Sequence, residues 1–228
     1  MITEEISLKH EFFQISAPDG SYYYGGRQEL LPKRSHRAGG CGLIACANVL
    51  CYLARFHSYR GTPFDATAAQ SAITLADFNG GCERLARGIL RPIPHFGLTG
   101  LALAWGLNRR FRKAGIPYRA RWCARKAPMW ARMEAMLGQD LPVIFAVGPN
   151  LRPWRKAELT FYRKAPDGTY RAATKTYGHF ITVTAMDATW LRISSWGHEY
   201  YINRAEYARY SKKHSCSLFC NLLLLERI

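Results

Sequence analysis

The hydrophobic pattern changes its period near residue 138, and that change constrains the fold more than any single motif. Before it, apolar and small residues recur at helical spacing; after it, short β-branched and apolar runs are separated by turn residues. Helices are predicted over 41–56, 65–78, 99–114 and 129–137, the last two stopped by Gly115 and Gly138. Strands are predicted over 142–147, 179–184, 190–196, 199–202 and 218–224, with Asp187-Ala188-Thr189 as a turn. Asn203 and Glu206 have the spacing of a capping box opening a short helix through Tyr210. The tetrad Ala-Pro-Asp-Gly at 17–20 and again at 165–168 lies each time between β-prone runs and predicts two hairpin turns. The expectation is an α+β fold in one domain, 1–228. A mainly helical lobe with an N-terminal hairpin (1–137) packs on a mainly antiparallel β lobe (138–228).

Lys and Arg outnumber Asp and Glu by 32 to 16, a net charge of +16. Such a balance favours acidic partners without specifying a fold. The basic residues cluster in short groups: Arg109, Arg110, Arg112 and Lys113; Arg119, Arg121, Arg125 and Lys126; Arg152, Arg155 and Lys156. They are expected on solvated helix faces and loops. The seven cysteines lack the spacing of a disulfide framework. The first ten residues carry no apolar run, and no stretch approaches the ~20 apolar residues of a membrane span. A cytoplasmic location, with no membrane span, is therefore expected.

Gly39-Gly40-Cys41-Gly42 leads directly into the first long helix. A cysteine at a helix N-terminus feels the positive end of the helix dipole, which favours the thiolate. The flanking glycines allow a substrate backbone to approach the sulfur. A buried structural cysteine is the alternative for this segment taken alone. Cys46 and Cys51 project in other directions from the same helix and read as small core residues. In the other half, His179 opens an apolar strand. Asp187, eight residues along that strand, lies about 26 Å away and is a turn residue rather than a partner. Across the hairpin, Ser194, Ser195 and Trp196 fall closest, and a serine hydroxyl accepts a hydrogen bond from an imidazole N–H.

These segments resemble the papain-like cysteine peptidase superfamily over roughly residues 38–206. The likeness rests on Gly-Cys-Gly opening a helix, on Gly178-His179-Phe180 opening a strand, and on Ser194-Ser195-Trp196-Gly197, which is similar to the Asn-Ser-Trp-Gly of papain. The stretch 137–147 followed by 179–187 also resembles the bacterial peptidases that trim bacteriocin leaders. The resemblance implies a papain-like fold, with Cys41 as nucleophile, His179 as general base and acid, Ser194 at the position of the orienting Asn or Asp, and Trp196 shielding that hydrogen bond. The family places a glutamine about six residues before the nucleophile as oxyanion donor. Ser35 stands there, beside His36, and the nearest glutamine is Gln28. Ser35 or His36 is expected to donate instead.

The expected activity is thus that of a cysteine peptidase acting on an acidic peptide or protein substrate, with no cofactor and no metal. The same acyl-enzyme would serve an amidase, deamidase, transglutaminase or acyltransferase, or the chain could be a degenerate basic binding protein. Nucleic-acid binding is suggested by charge alone, since no binding motif accompanies it. His214, Cys216 and Cys220 offer three zinc-ligand types, but no second pair lies nearby, and packing is the expected role.

Overall fold

The computed structural model describes residues 4–68, 70, 72–124, 128–151 and 157–228. Arg125, Lys126, Arg152, Arg155 and Lys156 of the basic groups lie outside the described residues. The chain begins with β1 (Ile6–Ser7), β2 (Gln14–Ser16) and β3 (Tyr22–Tyr24). A 3-10 turn (Gln28–Leu30), α1 (Arg34–Arg37), α2 (Cys41–Phe56) and α3 (Asp65–Ala68) follow. Then come β4 (Ile73–Thr74), α4 (Leu75–Ala86), α5 (Gly100–Ala114), β5 (Tyr118–Trp122) and α6 (Met129–Gly138). The remainder is β6 (Val143–Val147), β7 (Leu159–Lys164), β8 (Tyr170–Thr176), β9 (His179–Met186), β10 (Trp190–Ser195), β11 (His198–Asn203), α7 (Arg204–His214) and β12 (Leu222–Arg227).

The result is a mixed α+β architecture. One large antiparallel sheet runs in the order β5-β12-β6-β9-β10-β11-β7-β8, with β1 paired to the far end of β9. A small sheet, β3-β2-β4, lies among the N-terminal elements. The two halves share the large sheet, because β1 and β5 from the first half both pair into it.

Helix α2 is the centre of the molecule. Gly42 to Ala54 are all buried, so this helix has no solvent stripe, unlike an amphipathic surface helix. It packs on β9, and both ends of that contact explain where the site lies. At the N-terminus, a Cβ on Gly42 would sit 3.4 Å from the Phe180 ring. Two turns on, Asn48 Nδ2 donates to Thr182 Oγ1 at 3.1 Å, while Asn48 Oδ1 accepts from the Gly26 N–H at 2.9 Å. One buried amide therefore ties α2 to β9 and to the Gly25-Gly26 step. Gly25 has φ 74, and a Cβ there would meet Ser194 Oγ at 2.5 Å. Only glycine fits between strand and helix.

The predicted helix over 65–78 is a misreading. The chain makes one helical turn at α3, then extends as β4 to pair in parallel with β2 (Ile15 with Ile73), and re-enters a helix at α4. Thr74 caps α4 by accepting from the Asp77 N–H at 3.1 Å. Strand β5 was also absent from the predicted set. The other predicted elements are present with boundaries shifted by a few residues. Asn203 caps α7, accepting from the Ala205 and Glu206 N–H groups, and α7 runs on to His214.

Replacing Asn48 with alanine leaves the Gly26 N–H and the Thr182 hydroxyl unpaired in the core. A loss of about 1–3 kcal/mol is expected in denaturant titration. A loss under about 0.5 kcal/mol would contradict this account of how α2 is held.

Candidate active site

Cys41 is the first residue of α2, following Gly40, and is only partly exposed. The backbone N–H of Phe180, and after it those of Gly42 and Cys41 itself, favour its ionised form. The Phe180 contact sets the thiol against the first residues of β9. His179, the residue before, is buried, and with Cys41 it borders a cavity of about 10 Å³, room for about one water. No hydrogen bond joins the thiol to the imidazole among the described residues.

The imidazole is fixed from two sides. Its Nε2 lies 2.9 Å from Ser195 Oγ, and the Trp196 ring stacks on it at 4.4 Å with an interplanar angle of 15°. When Nε2 carries the proton it donates to Ser195, and Nδ1 becomes the basic nitrogen. Trp196 and Gly197 form the two-residue turn between β10 and β11, both at positive φ (49 and 73). Both φ values being positive matches a type I′ hairpin turn, a geometry that costs a tryptophan strain. Packing on His179, Phe161 and Tyr200 holds it there.

Ser194, expected as the third residue, does not touch the imidazole. Its hydroxyl donates to the Tyr24 carbonyl at 2.6 Å. The cause is a register shift. Arg192 pairs with Ala185 but Ile193 pairs with Val183, so Thr184 is bulged. Beyond the bulge, strand alternation turns Ser195 to the face of His179 and Ser194 to the face of Thr182.

The expected oxyanion donors are also displaced. Ser35 is exposed on α1, and His36 is buried with Nδ1 2.8 Å from Glu83 Oε1. Neither borders the Cys41 cavity; Gln28 does. Gln28 Nε2 donates to the Arg37 carbonyl at 3.2 Å, with a second N–H to spare, while its Oε1 is buried without a partner. The Gly25-Gly26 step before Gln28 could have signalled this position, but its distance along the chain from Cys41 concealed it.

Burial dominates the electrostatics. It raises the Cys41 thiol above its ordinary value, partly offset by the Phe180 N–H. It drives the His179 imidazole down to about 3. Both shifts favour the neutral pair over the thiolate expected at the helix end. On its far side His179 also borders an apolar groove of about 760 Å³, lined by Phe96, Leu98, Leu101, Trp122 and Tyr177 among others. His214, Cys216 and Cys220 do not share one strand: His214 ends α7, and Cys220 Sγ accepts from the Gly148 N–H at 3.2 Å. Among the described residues, no three His, Cys, Asp or Glu side chains are grouped to hold a metal ion. No described helix is long and apolar enough to cross a membrane.

Compared with known proteins, the chain matches no family model, no curated protein and no solved structure.

The depressed imidazole has a consequence for stability. The unfolded chain takes up this proton near the ordinary value of 6.5, the folded one only at about 3. The neutral form's stability is thus complete above 6.5 and lost as pH falls toward 3, at up to about 1.4 kcal/mol per pH unit. Denaturant titrations across that window should show the slope, reduced in His179→Gln. An equal slope in the variant would contradict the assignment.

Proposed function

We propose that the protein is a papain-like cysteine hydrolase that cleaves peptide bonds through a Cys41 acyl-enzyme. The observation that carries the reading is the convergence of Cys41, at the head of the central helix, and His179, at the head of the central strand, on one cavity. The clamping of His179 between Ser195 and Trp196 supports it further. A helical half and a β half meeting at that cavity agree with a papain-like fold.

In this reading His179 Nδ1 takes the Sγ proton as the sulfur bonds to the scissile carbonyl carbon, so that charge develops only when substrate is in place. The carbonyl oxygen becomes an oxyanion. The free backbone N–H groups of the first turn of α2 and the spare N–H of Gln28 are the available donors for it. Collapse breaks the C–N bond, and the imidazolium gives its proton to the leaving amine. Water then attacks the thioester, losing a proton to His179, and the thiol is restored as the acid product departs. Ser195 orients the ring throughout, and Trp196 keeps water from that hydrogen bond. The apolar groove beside His179 would take a bulky apolar side chain of the substrate.

The test is a peptide library incubated with wild type, Cys41→Ala and Gln28→Ala, with products resolved by mass. Wild type should cleave, Cys41→Ala should not, and Gln28→Ala should retain cleavage slowed by about 10²–10³. Loss of ammonia or acyl transfer in place of cleavage would move the protein to another reaction of the same thioester. Equal cleavage by wild type and Cys41→Ala would end the proposal.

A further inference from the structure

Away from Cys41, two concavities of about 540 and 430 Å³ meet at Arg87 and Gly88, in the turn after α4. The first is lined by Arg87, Arg109, Arg110 and Lys113; the second by Lys33, Arg87 and Arg91. Six cations from three segments of the chain thus line two neighbouring concavities that share Arg87 and Gly88, and no Asp or Glu lines either one.

Their pairing is unusual for a protein surface. Lys33 reaches Glu83 at 3.0 Å, but Arg87, Arg91, Arg109, Arg110 and Lys113 have no carboxylate partner among the described residues. Arg110 is half-buried, donates to the Arg84 carbonyl at 2.9 Å, and is held below its ordinary value by burial and by Arg109 beside it. The fold keeps like charges together in a recess where each raises the cost of the next. An anion would remove that cost.

We propose that this double pocket binds a ligand carrying two or more phosphate groups, with Arg87 shared between them. Arginine predominates, and its planar fork matches phosphate oxygens with paired hydrogen bonds. The apolar lining is Leu85, Ile89, Leu90 and Ala86, with no Phe, Tyr or Trp on which a base could stack, and the His36 ring is buried against Glu83. The volumes are those of a small-molecule site rather than of a flat track for a polymer. The binding does not depend on Cys41 or on any catalytic activity.

The test is calorimetric titration of the full chain with inorganic tripolyphosphate. Parallel titrations use orthophosphate, a single-stranded oligonucleotide, and vesicles with or without phosphoinositide head groups. Tripolyphosphate should bind more tightly than orthophosphate, and more weakly as salt is added. The pair Arg87→Ala with Arg109→Ala should lower the affinity by about tenfold or more, while Arg171→Ala, on distant β8, leaves it unchanged. Thermal melts of each variant establish that the loss is not unfolding. A matching loss on phosphoinositide vesicles assigns the phosphates to a lipid; binding confined to tripolyphosphate assigns them to a soluble molecule. No binding of tripolyphosphate by the wild type, equal binding by the double variant, or binding of the oligonucleotide alone would each overturn the proposal.

Discussion

Everything at the candidate site depends on how the first turns of α2 lie against the first residues of β9. Asn48 fixes that contact by using both ends of its amide, one on Thr182 and one on the Gly26 backbone. A buried amide left half-satisfied costs more than it contributes, so the two bonds are made together or the register is lost. Once they are made, the Phe180 N–H lies beside the Cys41 sulfur, His179 is carried to the cavity wall, and the Gly25-Gly26 step delivers Gln28 to the same cavity. Three parts of the chain far apart in sequence are placed by one side chain.

The same burial that holds the site together sets its resting chemistry. A helix end and three N–H groups favour a thiolate, but their effect is smaller than the cost of ionising a thiol out of water. The imidazole loses its charge for the same reason. In the proposed reaction charge develops only with substrate in place, and the N–H groups at the head of α2 would be its donors. Ser195 and Trp196 then matter for orientation, since neither can supply the charge that a carboxylate would.

Much of this was legible in the sequence, for physical reasons specific to each element. Helix α2 announced itself by an unbroken run after Gly42, and the hairpins at 17–20 and 165–168 by turn residues whose backbone angles are nearly obligatory. Helix α4 was hidden because Gly80 and Gly81 weaken its pattern. Gly81 is there because a Cβ would lie 2.2 Å from the Phe64 ring, a demand of packing that local pattern does not carry. The choice between Ser194 and Ser195 turned on a single bulged residue, Thr184, which reverses the facing of everything after it. Gln28 was concealed by chain distance, and Ser35 was favoured by spacing although α1 turns it outward. The basic residues of α5 read as solvated surface, whereas tertiary structure brings Arg109, Arg110 and Lys113 to one concavity with Arg87.

The most direct measurement is the rate of alkylation of each cysteine against pH, resolved by mass, in wild type and His179→Ala. Cys216 is the internal standard, because it too is partly exposed. The account predicts that Cys41 shows no reactive plateau in acid, and that His179→Ala slows Cys41 relative to Cys216, because the imidazole is no longer there to take the Sγ proton. A Cys41 rate, relative to Cys216, that is indifferent to His179 would contradict the claim that the two residues form one working pair.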